Sequence, residues 1–168
     1  MLRKILLVFL VILIIIQFIR PGRNISNAVS SNDITLHFPV PEDIVHVLKR
    51  SCYDCHSNNT VYPWYMNIQP VGWWMQYHVN DGKRKLNFSE FSSYPVKKQY
   101  DKFKATRDEI KEGGMPLDSY LWIHKYAILT AAEKTSVIKW ADSLQTDLRV
   151  KNNLKDEPRD GPRNGPGE

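Results

Sequence analysis

The tightest constraint on this chain is the segment Ser51-Cys52-Tyr53-Asp54-Cys55-His56, which holds both of the cysteines in the sequence. A pair this close cannot staple a scaffold with disulfides, so the pair itself needs a chemical explanation. In a C-x-x-C-H arrangement the thiols lie about one helical turn apart. Both can reach the vinyl groups on one edge of a porphyrin while the adjoining imidazole points at the iron. Two other chemistries use such a pair: a thioredoxin-like redox couple and half of a zinc site. The first normally follows a strand in a βαβ pattern, which the sequence does not offer. The second needs further ligands at metal spacing, whereas His37, His46, His78 and His124 are scattered singly. Haem attachment is the favoured reading, with thiol redox and zinc binding as the alternatives.

The opening is the next constraint. Arg3 and Lys4 precede an unbroken apolar run from Ile5 to Ile16, followed by Gln17, Phe18 and Ile19. A run that is hydrophobic all round has no polar face to give to solvent, which disfavours a core helix. It falls slightly short of the roughly 20 residues that cross a bilayer core, with Met1 and Leu2 extending it. It ends in Gln17-Phe18-Ile19-Arg20-Pro21 rather than in small residues of the A-x-A type, so an uncleaved anchor over residues 1–20 is expected in preference to a removed signal. Arg3 and Lys4 on one side balance Arg20 and Arg23 on the other, so charge does not orient it. The polar stretch that follows, with Gly22 and several Asn and Ser, makes residues 21–38 a linker.

With 168 residues, 42% hydrophobic and 24% charged, the chain has room for one modest domain and no second full core. That domain is expected over residues 39–149. Pro41, Glu42 and Asp43 suit the start of a helix with Ile44, Val45, Val47 and Leu48 as its apolar stripe. Lys97 to Glu112 reads as a helix with Tyr100, Phe103 and Ile110 inside, which Gly113 can end through a left-handed cap. Thr130-Ala131-Ala132-Glu133 has the form of a capping box, opening a helix to about Leu148. Val137, Ile138, Trp140, Ala141 and Leu144 supply its buried side. Lys83, Arg84 and Lys85 read as an exposed loop, and residues 150–168, rich in Asn, Asp, Pro and Gly, as a disordered tail. The net charge of +5 comes without a basic stripe interleaved with aromatics, so nucleic acid is not an expected partner. An anionic membrane surface or an acidic redox partner suits it better.

From about Pro41 to Trp140 the chain resembles the haem-binding domain family of small, membrane-anchored, single-haem c-type proteins. The resemblance is carried by Ser51 through Thr60, then by Tyr62-Pro63-Trp64-Tyr65 and Pro70-Val71-Gly72-Trp73-Trp74. His78-Val79, Leu86-Asn87-Phe88-Ser89 and Met115-Pro116 extend it. It implies one covalent haem c on Cys52 and Cys55, with His56 as the proximal iron ligand. The leading distal ligand is Met115, since in class I cytochromes c that methionine sits on an irregular loop after a helix, often beside proline. His78 is the alternative, because two imidazoles also serve a haem that only shuttles electrons. Met66 and Met75 lack a helix-ending glycine pair, and His124 reads as a packing residue. Trp64, Trp73 and Trp74, with Tyr65 and Tyr77, are expected to cover the porphyrin face. The implied fold is all-α, a cytochrome c-like cluster of four or five helices closed by the last one.

Covalent attachment of this kind is carried out by the c-type maturation machinery on the outer face of the energy-transducing membrane. The haem domain is therefore expected on the periplasmic side of the cytoplasmic (inner) membrane, held by a single pass. A one-electron carrier serving redox partner proteins is favoured over a catalyst. The alternative is a haem enzyme or sensor whose open or labile sixth position takes peroxide or a diatomic gas. Peroxide cleavage needs a distal acid/base pair, and no positioned His/Arg combination can be read from the sequence.

Overall fold

The computed structural model describes residues 1–26 and 28–155, which form helices and turns and no strand, so the all-α expectation holds. The helices among the described residues are α1 (Leu2–Ile16), α2 (Ile34–His37), α3 (Glu42–Ser51), α4 (Tyr53–His56), α5 (Val71–Lys85), α6 (Val96–Glu112), α7 (Asp118–Leu121) and α8 (Ala131–Asn152). Short 3₁₀ segments lie at Trp64–Asn67, Phe88–Ser93 and Lys125–Ala127. The chain divides into two units. One consists of Met1–Val29 with Tyr53–Asn87, the other of Ser30–Cys52 with the described residues from Phe88 onward.

The second unit has an ordinary apolar core. Helical spacing puts Tyr100, Phe103 and Ile110 of α6 and Val137, Trp140, Ala141 and Leu144 of α8 inside, together with Ile44, Val47 and Leu48 of α3. Phe103 lies edge-on to Trp140 at 5.6 Å and close to Phe91 at 4.8 Å. The Trp140 indole donates to the Pro39 carbonyl at 3.0 Å. Gly113, at φ 77, ends α6 in the left-handed region as expected. Thr130 and Glu133 close the expected capping box at 3.2 and 2.8 Å. Helix α8 runs on to Asn152, so the first residues of the expected tail are helical, and residues 156–168 lie outside the described residues.

The first unit is built differently. Among its described residues only Met66 and Val79 are buried apolar side chains, whereas Asn24, Ser57, Thr60, Gln69, Gln76 and Asn87 are buried and polar. Hydrogen bonds hold it. Much of the segment expected to be a linker belongs to these: Arg23, Asn24 and Ser26 bond to Asn67, Thr60 and Asn59. Further along, Ile34 of α2 is buried in the second unit. Lys83–Lys85 form the last turn of α5 rather than a loop, with Arg84 and Lys85 paired to Asp81. Helix α1 ends at Ile16, and among the described residues no helix is long and apolar enough to cross a membrane.

Candidate functional site

The cysteine segment begins where α3 stops. Cys52 caps that helix, its N–H bonded to the Leu48 carbonyl at 2.9 Å, and the single turn of α4 carries Cys55 and His56. A lone turn is not stable by itself, and buried polar groups of the first unit fix it. Ser57 Oγ donates to the Tyr53 carbonyl at 2.8 Å, and Thr60 Oγ1 to the Asp54 carbonyl at 2.6 Å. Asn24 serves this segment with its whole side chain. Its Nδ2 donates to the Ser57 carbonyl at 2.9 Å and to Thr60 Oγ1 at 3.0 Å, while its Oδ1 accepts from Lys83 Nζ at 2.6 Å. The Asn24 N–H reaches Tyr62 Oη at 2.6 Å, and that hydroxyl donates to Gln76 Oε1 at 2.9 Å.

Helix α5 supplies the other wall. A β-carbon at Gly82 would fall 2.9 Å from Cys55 Cβ, so only glycine lets α5 lie this close to the cysteine. Past the end of α5, Leu86 turns extended (φ −149), and its carbonyl faces His56 Nδ1 at 3.0 Å. A carbonyl only accepts, so Nδ1 is the donor nitrogen, and in the neutral ring Nε2 is then the nitrogen with the lone pair. This is the tautomer a metal-bound imidazole needs, with its donor nitrogen held by a backbone acceptor.

Burial, with a smaller contribution from the Asp54 carboxylate, pushes the Cys55 thiol up to about 12. A disulfide-exchange cysteine works the other way, with a lowered value that supplies thiolate. Among the described residues no three His, Cys, Asp or Glu side chains stand together as a metal-binding group.

The remaining expected residues fall in both units. Met115, in the second, is half-buried just beyond the left-handed Gly113, with its N–H on the Glu109 carbonyl at 3.4 Å. It therefore lies on non-helical backbone, as expected. In the first unit His78 is on α5 one turn before Gly82, its Nδ1 donating to the Trp74 carbonyl at 2.8 Å and its ring 4.5 Å from that indole. Trp73 spends its indole N–H on the Ile19 carbonyl at 2.7 Å. Trp64 and Trp74 are exposed, at 74% and 45%. Sequence reasoning missed Asn24, Gly82 and Gln76, and quoted Leu86 only as part of the resemblance without its role; all four act through contacts far apart in the chain. His124 is buried and stacked on Tyr120 at 4.0 Å, a packing residue.

A family model described as a haem-binding domain matches residues 11–143, well over half of the chain. No curated protein and no solved structure matches it.

Proposed function

The chain belongs to the haem-binding domain family, and on that premise we propose that it is a membrane-anchored c-type haem protein that carries single electrons. Its haem is joined to Cys52 and Cys55, with His56 on the iron. The observation that carries this reading is the His56 tautomer set by the Leu86 carbonyl at 3.0 Å, one residue from a cysteine of the pair. Two further features fit the group. Gly82 leaves no room for a β-carbon beside Cys55, so α5 packs closely against the backbone and Cβ of that cysteine. The first unit also buries few apolar side chains while exposing Trp64, Trp74 and Tyr77, a balance that a large apolar cofactor would correct.

Bound there, haem supplies a one-electron iron couple. The chain's own residues set its character. Leu86 orients the imidazole and raises its basicity through the Nδ1 hydrogen bond. Met115 is the proposed distal ligand, whose soft thioether favours the ferrous state and raises the potential relative to a second imidazole. Trp64, Trp73 and Trp74 are proposed to cover the porphyrin. Held by His56 and Met115, the group would supply one-electron exchange with redox partner proteins, and the chain would offer it no position for a substrate. Helix α1 is proposed to enter the cytoplasmic membrane, with the haem on the periplasmic side, where the c-type maturation machinery works.

An optical spectrum tests the reading. The full chain, produced with c-type maturation machinery, is expected to give a c-type haemochrome in alkaline pyridine that stays with the polypeptide. It should also show a long-wavelength sulfur-to-iron charge-transfer band that disappears in Met115→Ala. A haemochrome without that band would discard Met115 in favour of His78 or an open position, which rapid carbon monoxide binding to the reduced protein would reveal. No haemochrome would end the proposal.

A further inference from the structure

The apolar surface of α1 does not stop at the end of the helix. Its run from Ile5 to Ile16, bounded by Lys4 and Gln17, spans about 18 Å against about 30 Å of bilayer hydrocarbon. None of its side chains is buried by protein. The residues just past it are tied down. Gln17 Nε2 donates to the Gln69 carbonyl at 3.0 Å, and the Gln69 N–H donates to Gln17 Oε1 at 2.9 Å. Trp73 Nε1 donates to the Ile19 carbonyl at 2.7 Å, and Arg23 Nη2 to Asn67 Oδ1 at 2.6 Å. The end of α1 is thus clamped onto the start of α5, within the same unit as His56.

Around this clamp stands a collar of apolar side chains with nothing over them: Phe18 at 83% exposure, Ile19 at 58%, Ile68 at 46% and Val71 at 41%. The amide of Gln17 would be costly near hydrocarbon if unpaired, and both of its polar atoms are bonded to backbone. Arg20 and Arg23 adjoin the collar with charges suited to lipid phosphates. We propose that the headgroup–acyl boundary of a lipid bilayer covers Phe18, Ile19, Ile68 and Val71. The apolar depth that α1 lacks is completed by the first unit itself, which is seated in the membrane surface rather than swinging on a tether. This rests on the reading of α1 as a membrane helix, and it goes further by assigning a lipid-binding surface to the unit that carries His56.

The test uses the full-length, haem-loaded and reduced protein in vesicles of phosphatidylcholine and phosphatidylglycerol. Haem attachment consumes both native thiols, so a nitroxide can be placed singly on L10C, I68C or V150C. Collision rates with oxygen and with a water-soluble nickel chelate then report depth. Labels at 10 and 68 are expected to meet the chelate about tenfold less often than the label at 150, as exclusion from the boundary requires. Gln17→Ala is expected to raise chelate access at 68 several-fold and leave 10 unchanged. A label at 68 as accessible as that at 150, with 10 protected, would leave the membrane helix standing and overturn the collar. A label at 10 open to the chelate would overturn both, and an unchanged value at 68 in the Gln17 variant would overturn the clamp.

Discussion

A β-carbon added at Gly82 would lie 2.9 Å from the Cβ of Cys55 and 3.0 Å from its carbonyl oxygen. Neither can swing away as a long side chain would, because both belong to or adjoin the backbone of α4. Gly82→Ala should therefore displace the cysteine, at a cost of about 1–3 kcal/mol typical of overpacking. Haem per polypeptide, measured as pyridine haemochrome, should fall well below the parent protein; full occupancy would mean that α5 yields instead. Asn24→Ala acts on the same segment by removing the partners of the Ser57 carbonyl, Thr60 Oγ1 and Lys83 Nζ. Leaving these groups short of partners should destabilise the fold by about 1–3 kcal/mol, read from the thermal midpoint of the haem-loaded protein. At this scale the sequence offers candidates where residues are contiguous: Cys52, Cys55 and His56 in one segment, and Met115 just past Gly113, whose left-handed cap is the part the backbone bears out. Gly82 and Asn24 have no such signature, since what makes them matter is an approach between residues 27 to 59 positions away in the chain.

Elements were legible to the extent that their ends are set by local hydrogen bonds. Helix α6 starts one residue before its expected Lys97 and stops at Gly113, whose backbone adopts the left-handed form that periodicity and glycine together announce. The start of α8 was fixed by its capping box, while its end ran past Leu148 because no breaker precedes Asn153. The residues after Pro21 look like a linker because they lack an apolar period, but their order comes from side-chain amides, which leave no period to read. The box at α8 also makes a pH prediction. The Arg50 guanidinium, at 2.9 Å, and then the Thr130 N–H hold the Glu133 carboxyl down to about 2 from its ordinary 4.5. A carboxylate with a depressed value in the folded state adds stability above its ordinary range and loses it as pH falls toward the folded value. Both partners are about a quarter exposed, so the gain at neutral pH is about 0.5–1 kcal/mol. Glu133→Gln keeps a side chain that can still cap and removes the charge. Its urea midpoint should lie below that of the parent at neutral pH, and the gap should close between pH 4.5 and 2. A gap that stays constant with pH would assign the loss to packing.

At the scale of the molecule, the division of buried side chains between the units decides what removing the cofactor should do. The second unit buries Ile34, Ile44, Leu48, Phe88, Phe91, Tyr100, Phe103 and Trp140 among others, enough to hold α3, α6 and α8 by hydrophobic burial. Among its described residues the first buries Met66 and Val79 and otherwise relies on hydrogen bonds, whose net contribution is about 1 kcal/mol each and which water can replace. A covalent porphyrin would supply the missing apolar interior, and its absence would leave the surrounding groups to exchange with solvent. The Cys52→Ala, Cys55→Ala double variant, made in detergent to cover α1, should separate the two in hydrogen exchange. Amides of residues 96–112 and 131–152 should keep most of their protection, while those of 71–85 should exchange orders of magnitude faster than in the haem-loaded protein, because local opening reports local burial. Equal protection in both units without haem would mean that the polar network of Asn24, Tyr62, Gln76 and Lys83 suffices on its own. The attachment segment would then be preformed for the cofactor rather than ordered by it.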